Sequence, residues 1–466
     1  MIDVAGVLQA VPGFETFCSV EKLHNLVETL RADSNFQIKI AGTSVNGIPI
    51  HHVRFGKGSV KALVVAFPHC SEPIGSLTVF SLLTLLARGN RELTEADVEW
   101  HIVPCIDPDG ALLNEGWTQQ LFTLANHMRH FYKQQLRDQA ECSFPIHHNR
   151  LVFDRPTKEA RVLQGLLEEI RPDFYSSLHN GVMGGAYFLI SRDIGGKYYR
   201  QLKELLERQR IPLQESPPRL EGGASFAPGI CEPIATWKYY DQLEKTTPCP
   251  EQVLNFGANS WDYLAQIKES ALTFVSELPH VRHPSDGSQQ ATSQNLRQLK
   301  LRLDADKKFV VTVILEEWDK VKGDLDAASP FYKKVLEGMV AVKDRLHEGL
   351  PWWPDKTRDI LFNPVYSRTM TEGERFNEYF RRFYLLCNCH EFVRLLKASA
   401  QTPAVKQATQ RLETVFDEAM DDIAGQIGFE KFEVFDCDTL GRVQLGSLLI
   451  GLNSLLEKQA RVQPGL

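Results

Sequence analysis

Over its first 200 residues the chain alternates between short, continuous apolar runs and longer segments whose apolar residues fall three and four positions apart. Residues 20–32 follow the second pattern, which predicts a helix. The run from Ala62 to Phe67 is short, unbroken and β-branched, so 61–67 reads as a buried strand. A helix over 75–88, a strand over 98–104, a helix over 158–170 and a strand over 173–178 follow. Pro156 and Pro172 punctuate the 158–170 helix. This alternation predicts an α/β fold, with a mixed, mostly parallel sheet flanked by helices. Residues 212–252 are rich in proline and glycine and poor in periodicity, so a long loop walling a pocket is expected there.

Beyond His283 the pattern changes. His283-Pro-Ser-Asp-Gly-Ser-Gln-Gln reads as a linker. Residues 293–323, 330–347, 372–398, 402–425 and 443–460 carry helical periodicity. Two domains are therefore expected, 1–285 and a mainly helical C-terminal extension over 286–466. Packing or self-association into a homo-oligomer is the expected role of the extension, and capping of the pocket is the lesser one.

Composition narrows the partners. Of 466 residues, 43% are hydrophobic and 24% charged, as in an ordinary globular protein. A formal net charge of −7, without a basic cluster interleaved with aromatics, argues against a nucleic-acid partner. The first residues lack a basic stretch and a long apolar core, so no signal peptide is expected. Val443–Leu456 is too short to span a bilayer, and no membrane partner is expected. Nine scattered cysteines without a Cys-x-x-Cys pair read as free thiols in a reducing cytoplasm.

The candidate chemistry lies at strand ends. The Ala62–Phe67 run stops at His69-x-x-Glu72, and the strand over 173–178 stops at His179-Asn-Gly. Ligands in α/β sheets bind at the C-terminal ends of parallel strands. Two imidazoles and a carboxylate at such ends suit one cation with mixed nitrogen and oxygen ligands, for which zinc is the usual choice. Cys70 lies between two of these residues, but side chains of a turn diverge, so it is a neighbour rather than a ligand.

Several further segments stand in order around these residues. Ile38-Lys-Ile-Ala-Gly-Thr-Ser-Val-Asn-Gly-Ile-Pro-Ile reads as an early hairpin. Val103-Pro-Cys-Ile-Asp-Pro-Asp109-Gly110 follows the first pair. Asn149-Arg150, Leu178-His179-Asn180 and Leu272-Thr-Phe-Val-Ser-Glu277 come later. Together they resemble the carboxypeptidase A-like zinc metallocarboxypeptidases over residues 35–285. The resemblance implies that His69, Glu72 and His179 hold one zinc ion and that Glu277 is the general base. It implies that Asn149 and Arg150 hold the substrate's terminal carboxylate, for which planar Arg is suited by its two parallel donors. Arg129 is the candidate cation for the tetrahedral oxyanion, with Arg137 close by as a rival. Asn180 is expected to orient the third ligand or border the pocket. The segment 293–323 is a candidate to close the first domain, as a terminal helix does in the family.

The sequence departs from the family where a mobile Tyr is expected, since Asn255 or Phe256 stands near that place. Tyr263 is expected in the following helix, Tyr239 and Tyr240 are alternatives from an earlier loop, and Asn259 is a candidate for side-chain preference. The resemblance implies a zinc-dependent carboxypeptidase with a peptide substrate. A zinc amidohydrolase that removes an acyl group from an amino acid or small metabolite is the alternative. A non-catalytic binding module is disfavoured, because ligands and base are all present.

Overall fold

The computed structural model describes residues 1–215, 223–347 and 357–462. Its strands begin with β1 (Phe36–Thr43), β2 (Pro49–Phe55), β3 (Val60–Val65) and β4 (Val98–Val103). After the short hairpin of β5 (Ile146–His148) and β6 (Leu151–Phe153) come β7 (Phe174–Ser177), β8 (Asn180–Met183) and β9 (Tyr187–Ile190). Then follow β10 (Ser225–Ala227), β11 (Ile230–Cys231) and β12 (Leu272–Arg282). The first helices are α1 (Val4–Gln9), α2 (Val20–Leu30), α3 (Ile74–Ala87), α4 (Arg91–Thr94), α5 (Pro108–Thr118) and α6 (Leu124–His130). They continue with α7 (Lys158–Ile170), α8 (Gly196–Arg208), α9 (Thr236–Glu244), α10 (Pro250–Val253) and α11 (Ser260–Ile267). The last are α12 (Leu296–Val321), α13 (Tyr332–His347), α14 (Thr357–Phe362), α15 (Glu372–Ala398), α16 (Pro403–Ile427) and α17 (Cys437–Val462).

The main sheet runs β1-β2-β4-β3-β7-β12-β9-β11-β10, and β8 pairs with β12 off this path. Its centre is parallel. Val60–Val65 pairs in register with Val98–Val103 on one side, and Ala62–Val65 pairs with Phe174–Ser177 on the other. The β1–β2 hairpin and the β12–β9 pair are antiparallel. This is the expected mixed sheet flanked by helices. β4 is buried along its whole length and β3 at all but Lys61, which explains why both lack the alternation of a half-exposed strand. The predicted helix over 158–170 is α7, with Thr157 as its N-cap.

The chain divides into two compact units. The first comprises Met1–Leu121, Lys133–Val281 and Val434–Leu466, and the second Phe122–Tyr132 and Arg282–Glu433. This differs at two places from the expected division at 285. Residues 122–132, which hold α6, join the second unit. Residues 434–466, which hold the whole of α17, join the first. The cause is the apolar surface of α17, where Leu440, Val443, Leu445, Leu448, Leu449 and Leu452 are all buried. One helix stripe cannot hold so many, so α17 must be covered on several sides. It packs on α3 and α8, and Gly451 lets its backbone approach the Phe274 ring, where a Cβ would come within 2.6 Å. Asn453 then staples the chain ends, accepting from the Ile2 amide at 2.8 Å and donating to the Ile2 carbonyl at 2.9 Å. The helix that closes the first unit is therefore α17. The segment 293–323 instead forms α12 of the second unit, which packs with α15 and α16.

The expected loop over 212–252 carries short elements in its described part: β10, β11, α9 and α10. Residues 216–222 lie outside the described residues. All nine cysteines lie among the described residues, and none is in a disulfide. Among the described residues no helix is long and apolar enough to cross a membrane.

Candidate metal centre

The sharp end of β3 begins the site. Phe67 adopts a positive φ of 56° just after the strand, and the turn that follows carries His69 and Glu72 to the N-terminus of α3. The neighbouring parallel strand β7 ends two residues before His179. Adjacent parallel strands in register thus deliver both segments to one edge. One ligand atom from each of His69, Glu72 and His179 lies within 4.8 Å of the others, and all three come from one buried cluster. The His69 and His179 rings meet edge to face, with centroids 4.9 Å apart.

Each member is oriented by neighbours. Glu72 Oε2 lies 3.0 Å from His179 Nδ1 and accepts from the Asn180 amide at 3.2 Å. Lys133 Nζ approaches Glu72 Oε1 at 3.4 Å. Burial alone would raise the Glu72 carboxyl. The charges of His69 and Lys133 and the hydrogen bond from His179 outweigh it and hold the group well below the usual carboxylate range. For His179, burial acts against the charged form, but Glu72, Glu277 and Glu141 together push it up to about 9. His179 Nε2 is buried without a hydrogen-bond partner. Two imidazoles and an ionised carboxylate, gathered out of water with one ring nitrogen unsatisfied, form a donor set that fits zinc.

The other expected residues divide into those near the cluster and those elsewhere. Glu277 sits on β12, opposite Tyr187 of β9, and its charge acts on His179. Asn180 braces the cluster: its Oδ1 accepts from the Ile74 amide at 3.0 Å, and its Nδ2 lies 3.0 Å from His280 Nε2. Burial pushes His280 down to about 3, so the ring is neutral and its Nε2 accepts. Arg129 is engaged elsewhere. It lies on α6 in the second unit and pairs with Asp417 of α16 at 2.7 Å. Its near rival Arg137 lies in a short 3₁₀ turn, Leu136–Asp138. Asn149 and Arg150 form the tight turn between β5 and β6, with Asn149 at a positive φ of 51°. Arg150 donates to the Pro248 carbonyl at 2.7 Å and faces Glu251 at 3.4 Å.

Three residues near the cluster escaped the sequence reading. Lys133 lies in a segment without periodic signal. Glu141 is fully buried and accepts from Ser260 and, at 3.2 Å, from Ser177, two residues before His179. Burial raises its carboxyl to about 7 despite the nearby His179 charge. Gln444 of α17 donates to the His179 carbonyl at 2.8 Å. No local pattern could have pointed to Glu141 or Gln444, since their partners are distant in the chain.

The aromatic and specificity candidates have structural duties. Tyr263 lies on α11, as expected, and its hydroxyl bonds Glu168. Tyr240 is buried and Tyr239 half exposed on α9. Asn259 caps α11 reciprocally with Asp262. The Asp-Pro-Asp-Gly turn starts α5, with Asp107 as N-cap accepting from the Gly110 amide at 2.9 Å. Asp109 ties the early hairpin to it, accepting from Ser44 Oγ at 2.8 Å and the Asn46 amide at 2.9 Å.

Residues 23–184 match the family model described as zinc carboxypeptidase, a span that includes all three cluster residues and ends before Glu277. Among solved structures, the chain is similar to a protein of Shewanella amazonensis classed as a candidate metallopeptidase. They share 16% identity over 56% of this chain and 84% of the other, with a TM-score of 0.38. It is also similar to carboxypeptidase A of Helicoverpa armigera, at 15% identity over 59% and 70% of the chains and a TM-score of 0.34. A metallo-carboxypeptidase of Burkholderia cenocepacia shares 16% identity over 56% of this chain and 60% of its own, with a TM-score of 0.33. No curated protein matches the chain. The likeness to zinc carboxypeptidases read from the sequence is thus borne out for the part of the chain that holds the cluster.

Proposed function

We propose that this protein is a zinc-dependent hydrolase of amide bonds, acting as a carboxypeptidase on the C-terminal residue of a peptide. The observation that carries the reading is the buried convergence of His69, Glu72 and His179, with donor atoms within 4.8 Å of one another. Zinc held there would polarise the scissile carbonyl and lower the pKa of a water to about 7. Glu277 is the base: a carboxylate within reach of His179's field can take a proton at neutral pH and return it to the leaving nitrogen. Asn180 and Gln444 hold the Glu72 and His179 segments against each other, so the ligands are arranged before the metal arrives.

One observation favours a second reading, a zinc amidohydrolase of acyl-amino acids. The Arg150 guanidinium, expected to clamp a free C-terminus, is already occupied by the Pro248 carbonyl and Glu251. Metal analysis of the purified protein, together with hydrolysis of blocked dipeptides and acyl-amino acids, tests both. About one zinc per chain is expected, lost with activity in His69→Ala and His179→Ala. Stoichiometric zinc in both variants would overturn the assignment.

A further inference from the structure

We propose that Lys133 supplies the positive charge that stabilises the oxygen turning negative on the substrate carbonyl. The proposal rests on the hydrolase reading above and names the cation it requires. Amide hydrolysis builds negative charge on that oxygen, and a fixed cation beside it lowers the barrier without reorganising at the moment of reaction.

The residues around the cluster single out Lys133. Its Nζ lies 3.4 Å from Glu72 Oε1, a contact between the ammonium and the carboxylate of a candidate ligand. Its side chain is 34% exposed while that of Glu72 is 10% exposed, so Lys133 reaches from solvent-accessible surface to the buried carboxylate. Arg129, the cation that the sequence pointed to, is tied to Asp417 instead.

The position of Lys133 is built into the fold. The next residue, Gln134, is fastened at both ends of its amide: Cys70 Sγ donates to its Oε1 at 2.8 Å, and its Nε2 donates to Asp107. Cys70 lies between His69 and Glu72, and Asp107 caps α5, so Gln134 registers Lys133 against the candidate ligands. Gly110 makes room for this bridge. A Cβ there would sit 2.5 Å from Cys70 Cβ and 2.6 Å from Gln134 Nε2. The motif that reads as a turn signature thus also leaves space for the side chain that sets the cation. An ammonium is a compact charge with three rotatable donors, so it can follow an oxygen without the fixed fork that a guanidinium needs.

The test uses the zinc-loaded full chain with Lys133→Met, Lys133→Arg and Arg129→Met. Lys133→Met should lower kcat by roughly 10² with a smaller change in KM, while Lys133→Arg keeps most of the rate. A phosphonate dipeptide analogue, whose tetrahedral oxygens carry the negative charge, serves as a probe independent of turnover. Calorimetric titration should show it bound roughly tenfold or more weakly by Lys133→Met and nearly normally by Lys133→Arg. Zinc affinity is measured in parallel by chelator competition. If Lys133→Met weakens only zinc affinity and keeps kcat at saturating zinc, the residue merely positions Glu72 and the proposal fails. An equal loss in Arg129→Met, or a zinc-loaded wild type that ignores the phosphonate, also overturns it. Failure of the hydrolase reading looks different: a wild type that retains no zinc, or one that holds zinc and hydrolyses neither blocked dipeptides nor acyl-amino acids.

Discussion

Gln444 donates its side-chain amide to the backbone carbonyl of His179 at 2.8 Å, across 265 positions of sequence. The same side chain accepts from Thr78 Oγ1 at 2.9 Å, and all of these groups are buried. The last helix of the chain therefore holds both the third candidate ligand and the helix that begins beside the first pair. Gln444→Leu would leave the His179 carbonyl and the Thr78 hydroxyl buried without partners. A loss of about 1–3 kcal/mol is expected in urea unfolding of the metal-free protein. Zinc affinity should fall as well, because the ligand segment loosens. A variant as stable as the wild type would show that α17 serves only to cover the sheet.

Glu277→Gln keeps the shape of the side chain but cannot take a proton. The expected outcome is a fall in kcat of roughly 10² or more with zinc retained, measured by turnover and metal content on the same preparation. Near wild-type turnover would place the base elsewhere.

Glu141 predicts a pH dependence of stability. Its folded pKa of about 7 lies above the ordinary 4.5, chiefly because burial disfavours the charged form. The folded state therefore binds the proton more tightly than the unfolded one. The group costs nothing below pH 4.5, its cost grows as pH rises, and the whole cost is present above pH 7. That cost is about 3 kcal/mol. Glu141→Gln keeps the shape: its amide oxygen can accept from one of the two serines while its NH2 donates to the hydroxyl oxygen of the other. Metal-free Glu141→Gln should thus gain stability over wild type at pH 8 and match it near pH 4.5, as read by chemical denaturation. Parallel curves for the two proteins would refute the raised pKa.

Arg150 discriminates between the two hydrolase readings. Its side chain is half exposed and satisfied by a carbonyl and Glu251. Arg150→Met should therefore cost less than about 1 kcal/mol of stability. If Arg150 clamps no carboxylate, the ratio of rates on free-acid and amidated peptides should stay within a few-fold of wild type. If the substitution erases a strong free-acid preference, the guanidinium must leave Glu251 on binding, and the carboxylate clamp is restored.

Much of the first unit was legible because its signals are local. A short continuous apolar run such as Ala62–Phe67, with β-branched Val64 and Val65 at its centre, favours a covered strand, and the apolar spacing of Lys158–Ile170 favours one helix face. His69 and Glu72 share one turn, and His179 repeats the same strand-end position on the adjacent strand, so parallel pairing alone brings them together. Residues whose partners lie far along the chain were not legible. Arg129 and Lys133 are four positions apart, yet they belong to different compact units, and no periodicity separates them. Nothing near Glu141 announces Ser177 and Ser260, and nothing near Gln444 announces His179. α17 showed the same limit. Its helical spacing was visible in the chain, but whether its apolar faces would be covered by α3 and α8 depended on which surface the sheet left open. Periodicity reports which face of an element must be buried. Only the closing of the chain decides against what, because that choice depends on the shape and polarity of surfaces contributed by residues hundreds of positions away.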